Sequence, residues 1–174
     1  MKISGKNLKR RLYGVARLRD RIRRARHFRG HGVHSPFVYS IVRSVFMRSK
    51  FITDDSYYTT VVYEALLEQQ IPRKRALQLA NLCAHCGYSE ISYNRPCAAD
   101  MIVVPQSIGT AEFPEYVSAA RECGATLAII APYRNRERDL ACREIAGRHT
   151  GTSIDNRGYL LIFNNDLPKQ HFRL

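Results

Sequence analysis

The chain has few acids for its bases and no apolar run long enough to cross a bilayer, and both shortages narrow what it can be. Across 174 residues, 15 aspartates and glutamates face 28 lysines and arginines, for a formal net charge of +13. No stretch approaches the roughly 18 to 20 apolar residues that a membrane helix requires, which excludes such a helix. The start also lacks the apolar core and small-residue cleavage site of a secretory signal, so a cytoplasmic protein is expected. Five cysteines, odd in number and irregularly spaced, give no disulfide framework and imply free thiols in a reducing compartment. What is present is ordinary apolar content, 45%, enough for one sizeable core and hence a single domain.

The positive charge is concentrated at one end. Twelve lysines and arginines precede residue 31 and are opposed there only by Asp20, which leaves residues 31–174 nearly neutral. Residues 1–30 therefore read as a basic leader and 31–174 as the folded domain. Leu8, Leu12, Val15, Leu18, Ile22 and Phe28 keep helical spacing, which predicts a basic amphipathic helix over residues 7–28. Such a helix could follow nucleic-acid phosphates, lie on an anionic membrane surface, or pack its apolar stripe on its own domain. For the first two, Arg10, Arg11, Arg17, Arg21 and Arg24 are the candidate contacts, since a guanidinium engages phosphate oxygens in pairs.

The next segment, His31-Gly32-Val33-His34-Ser35-Pro36-Phe37-Val38-Tyr39, has the character of a helix entrance. Ser35 can cap the first turn, and Pro36 suits a position whose N–H would have no partner. Phe37, Val38, Ile41, Val42, Val45 and Phe46 then form one apolar face. A further helix is expected from Tyr57 to about Gln70, ended by Ile71-Pro72. Strands are expected at Ala76 to Leu82, Met101 to Pro105 and Thr126 to Ala131. Between and after them lie a helix capped by Thr110 that stops at Gly124 and another from Arg134 to Arg148. Thr152 to Asp155 and Gly158 to Phe163, separated by Asn156-Arg157, read as an antiparallel hairpin.

The HGVHSPFV segment after a basic leader resembles the amino-terminal signature of a bacterial set of class I S-adenosylmethionine-dependent methyltransferases. Lys169-Gln170-His171-Phe172 is similar to the KxHF ending of the same set. The resemblance implies a Rossmann-like domain with residues 76–82 as its first strand, 101–105 as the fourth, 126–131 as the fifth and the hairpin as the sixth and seventh. About 20 residues separate the first two of these, too few for the family's second and third strand-helix units at roughly 30 residues per βαβ unit. The expected architecture is therefore α/β: a truncated Rossmann-like methyltransferase fold with a mostly parallel sheet of about five strands, closed by an antiparallel hairpin. Residues 31–70 supply the helices that precede it and 75–174 the strand-helix core.

Against the resemblance, the cofactor loop is eroded. The family needs closely spaced glycines after its first strand, because only glycine lets the backbone pass close to the cofactor at positive φ. Here that stretch contains Leu79, Ala80 and Asn81, and Gly87 is its only glycine; these four are the candidate cofactor residues if S-adenosylmethionine binding is retained. Gln78 stands where the family has an acid. Val104-Pro105-Gln106-Ser107 and Ala131-Pro132-Tyr133 replace segments in which the family carries aspartates for proton transfer or metal contact, tasks that proline and alanine cannot perform. The expectation is a non-catalytic binding or scaffold protein without a cofactor; an active methyltransferase with an atypical pocket near residues 79–87 is the alternative. A sheet missing two strands would expose an edge and invite a second copy or a protein partner.

Three smaller constellations complete the candidates. Cys83-Ala84-His85-Cys86 with Cys97 could offer thiolate ligands to zinc, but no second CxxC and no HxxxH accompanies them, and packing of free cysteines is the simpler reading. His31 and His34 lack a nearby carboxylate and are expected to bond backbone groups where the leader meets the domain. Tyr57, Tyr58, Tyr63, Tyr88 and Tyr93 could stack bases, although tyrosine at helical spacing is more often half-buried core.

Overall fold

The computed structural model describes residues 33–52 and 57–174. The leader, with Arg10, Arg11, Arg17, Arg21, Arg24 and His31, lies outside the described residues. Helix α1, Pro36–Ile41, begins as the sequence dictates: Ser35 is its N-cap, the Ser35 hydroxyl accepts a bond from the Val38 N–H at 3.4 Å, and Pro36 opens the first turn. The chain continues into a wider π turn, Val42–Phe46, closed by the Met47 N–H donating to the Val42 carbonyl five residues back. Helix α2, Tyr57–Glu68, buries Thr59, Val62 and Leu66 along one stripe.

The next element corrects the expected first strand. Residues 76–82 belong to helix α3, Arg73–Cys86. Proline 72 precedes it, and Gly87 ends it at φ +70°, where the Gly87 and Tyr88 N–H groups both donate to the Cys83 carbonyl. Positive φ is the conformation for which glycine is suited at a helix end.

Six strands form one mixed sheet in the order β1-β2-β3-β5-β4-β6. They are β1, Ile91–Tyr93; β2, Met101–Val104; β3, Thr126–Ile130; β4, Thr152–Asp155; β5, Tyr159–Phe163; and β6, Gln170–Arg173. Pairings β1 to β2, β2 to β3 and β4 to β6 are parallel, while β5 runs antiparallel to both β3 and β4. The hairpin is thus present where expected, whereas β1 and β6 are strands that the sequence pattern does not announce. The short β1 is held by Asp100, whose Oδ2 accepts from the Ser89 and Glu90 N–H groups at 2.7 and 3.0 Å and from the Ser89 hydroxyl at 3.0 Å. Those donors, Glu90 foremost, hold the Asp100 carboxyl below its usual range.

Between β2 and β3 a 3₁₀ turn, Thr110–Glu112, leads into α4, Phe113–Glu122. Thr110 does not cap that helix: its hydroxyl bonds the carboxylate of Glu137 on α5, Arg136–Arg148. Helices α1, α2 and α3 cover one face of the sheet, packing on Met101, Val103, Ala128, Leu161 and Phe163. Helices α4 and α5 cover the other, over Ile102, Leu127, Ile129, Leu160 and Ile162. Strands β2 to β5 are buried throughout because both faces are covered.

Candidate functional site

In an open α/β sheet, ligands bind in the crevice beyond the carboxyl ends of the parallel strands. Here those ends are Val104-Pro105-Gln106 after β2 and Ile130-Ala131-Pro132 after β3, and the space between them is filled by Arg138 of α5. Asn135 caps that helix, its side-chain oxygen accepting the Arg138 N–H at 2.8 Å, which aims the arginine in the first turn back at the sheet. Arg138 as a whole is 2% exposed. Its Nε and Nη2 donate to the Ile130 carbonyl at 3.2 and 3.0 Å, Nη2 also reaches the Pro105 carbonyl at 3.0 Å, and Nη1 the Ile108 carbonyl at 2.6 Å. The ring of Phe113 lies 4.8 Å from its central carbon. Burial pushes the Arg138 pKa down, and Arg134 adds to that, but guanidinium chemistry keeps the group charged. Three carbonyl dipoles and an aromatic face, rather than a carboxylate, compensate that charge.

The same corner is tied further. Arg134 donates to the Gln106 carbonyl, and Ala131 adopts φ +51° with its N–H bonded to the Gly158 carbonyl at 2.8 Å. Below it, Asp155 accepts from the Tyr133 hydroxyl and from the Arg157 N–H at 3.0 Å. Sequence reasoning missed Arg138, although a cation in the first turn of a helix, against the helix dipole, is a signal that could have marked it.

The residues expected to meet a cofactor lie elsewhere. Leu79, Ala80 and Asn81 are fully buried in α3. Asn81 is a clamp: Oδ1 accepts the Ile52 N–H at 3.1 Å and Nδ2 donates to the Lys50 carbonyl at 3.0 Å. Gly87 is a helix cap, and a Cβ there would meet nothing within 4 Å, so its role is conformational and not one of close approach. Gln78 is buried as well, bonded to the Phe46 carbonyl and to Arg75.

Cys83 and Cys86 sit on α3, whereas the Cys97 thiol bonds the Ser92 hydroxyl at 3.1 Å in the loop after β1. Among the described residues no three histidine, cysteine or acidic side chains come together as a metal set. Burial pushes the Cys83 and Cys86 thiols up, which favours their neutral form over the metal-binding thiolate. His85 bonds the Ser40 hydroxyl at 3.1 Å and so joins α3 to α1, and His34 is exposed. The Tyr58 hydroxyl is buried without a hydrogen-bond partner, and burial raises its pKa to about 12. Tyr88 pairs with Thr126 at 2.6 Å, while Tyr57 stands free on the surface. No helix among the described residues is long and apolar enough to cross a membrane.

Compared with known proteins, the chain matches no family model, no curated protein and no solved structure. The fold itself defines an α/β protein with a six-stranded mixed sheet between two helical layers.

Proposed function

We propose that this protein is a degenerate, non-catalytic relative of the S-adenosylmethionine-dependent methyltransferases that acts by binding, as a scaffold or partner protein. Support for the kinship comes from the HGVHSPFV and KxHF segments and from strand-helix alternation closed by a hairpin. On this reading β1 corresponds to the family's first strand, and the loop after it, residues 94–100, contains no glycine. The observation that carries the loss of catalysis is Arg138, whose side chain occupies the space beyond β2 and β3 and spends its donors on the protein's own carbonyls. Proline, glutamine and alanine stand at those strand ends, so no carboxylate there can move a proton or hold a ribose hydroxyl. The residues present therefore do not fit S-adenosylmethionine.

Calorimetric titration of the folded full chain with S-adenosylhomocysteine tests this reading. No heat is expected. Micromolar binding would overturn it in favour of an active enzyme with an atypical pocket. The outer edges left to a protein partner or a second copy are those of β1 and β6, and light scattering distinguishes one chain mass from two.

A further inference from the structure

On the face opposite Arg138, a cleft of ≈ 570 Å³ opens between the end of the π turn and the first turn of α3. Arg48 on one side and Arg73 and Lys74 on the other line it, and all three are exposed. None of them makes an ion pair among the described residues. The remaining wall is mostly apolar, with Phe46, Met47, Tyr63 and Leu77 beside Ser49. Tyr63, which lines the cleft, packs edge-to-face on Phe51 with ring centroids 5.5 Å apart.

The arrangement is electrostatically unfavourable by itself. The first turn of α3 contains no acid, so Arg73 and Lys74 repel Arg48, each other and the positive end of the helix dipole. Arg75 escapes by turning inward, where Nη1 donates to Gln78 at 2.8 Å and the guanidinium lies over the Tyr159 ring. Three uncompensated cations around an apolar concavity suit a ligand with both phosphates and flat apolar groups.

We infer that this cleft binds single-stranded nucleic acid, with phosphates on Arg48, Arg73 and Lys74 and a base against Tyr63 and Met47. A positively charged groove lined by stacking groups is the general solution for such strands. Cations on both rims, Arg48 against Arg73 and Lys74, suit a row of phosphates better than a single small anion. The cations line a concavity, which a strand can enter and a flat bilayer cannot. This inference does not depend on whether the chain binds S-adenosylmethionine.

The test is fluorescence anisotropy of a labelled oligouridylate with the full-length protein at several salt concentrations. R73E/K74E is compared with R121E/R136E, which makes the same charge change at exposed positions outside the cleft. The cleft variant is expected to weaken binding about tenfold or more and to flatten the slope of log K against log salt by about 1 to 1.5, at ~0.7 per lost phosphate contact. Its thermal midpoint is expected to equal or exceed that of the wild type, because acids suit a helix N-terminus, so loss of binding cannot be ascribed to unfolding. Equal weakening by both variants, or no binding at all, would overturn the inference. Retained oligouridylate binding with lost binding to phosphatidylserine vesicles would overturn it in favour of a lipid. Uridine monophosphate that competes as well as the strand would replace the strand by a free nucleotide.

Discussion

The Nη2 of Arg138 lies 3.0 Å from the Pro105 carbonyl, so a helix side chain closes the carboxyl end of a strand 33 residues earlier in the chain. The same nitrogen reaches Ile130 at 3.0 Å, which makes one guanidinium the link between β2, β3 and α5. If the group is structural, its removal must cost stability and give nothing back in ligand binding. Arg138→Met leaves buried carbonyls without donors and is expected to destabilise the fold by about 3 kcal/mol. Arg138→Lys keeps the charge but not the planar fork, and should recover only part of that. Urea unfolding measures both. A neutral Arg138→Met would show that the carbonyls are satisfied in another way.

Asn81 separates the clamp from the cofactor reading. Its amide satisfies Lys50 and Ile52 in the segment that follows the π turn. Asn81→Ala unmakes two half-buried bonds of a fully buried side chain and is expected to cost about 2 kcal/mol. Unfolding midpoints read that loss, and calorimetry with S-adenosylhomocysteine should be unchanged from the wild type. A variant of full stability would contradict the clamp.

Much of the sheet was legible and one helix was not, for a physical reason. Strands β2 and β3 are β-branched or apolar runs bounded by turn residues, and the Asn156-Arg157 turn between two apolar runs marked the hairpin. Helix α3 misled because Ala76 and every residue from Gln78 to Cys83 are buried, which erases the 3.6-residue period by which helices are recognised. Its Ala, Leu and Gln content, helix-forming rather than β-branched, was the available contrary signal. Strand β1 has three residues, and β6 is polar apart from Phe172, so neither shows an alternating pattern of useful length. The role of Arg138 was not legible because two of its three acceptors lie 30 and 33 residues away in sequence, although its place in a helix first turn marked it as unusual.

Gly87 offers a third check, since the family resemblance makes it a cofactor glycine whereas the structure makes it a helix cap. Space around it is open, so Gly87→Ala is resisted by backbone conformation alone. The expected cost is about 1 kcal/mol for an L-residue at positive φ. Gly87→Asn, which tolerates that conformation better, should cost less. Chemical denaturation orders the three proteins. Equal losses for alanine and asparagine would point to a steric role and against the cap.

His149 makes stability depend on pH in a direction that can be worked out. It caps the end of α5, is buried, and its Nε2 stands 2.9 Å from the Phe163 carbonyl. Burial pushes its pKa below the ordinary value, and Arg121 and Lys169 act in the same sense, while the Phe163 carbonyl opposes them. In the unfolded chain the imidazole titrates near 6.5, so between that value and the lower folded pKa the unfolded state holds more protons. Stability from this site is present above the unfolded pKa, declines as pH falls through the interval, and is gone below the folded pKa. His149→Gln can still donate to Phe163 but cannot titrate, so it should remove this part of the slope. Urea midpoints of both proteins from pH 7.5 to 5 measure the difference, which is expected to narrow as pH falls. Parallel curves would mean that His149 titrates alike in the folded and unfolded chains.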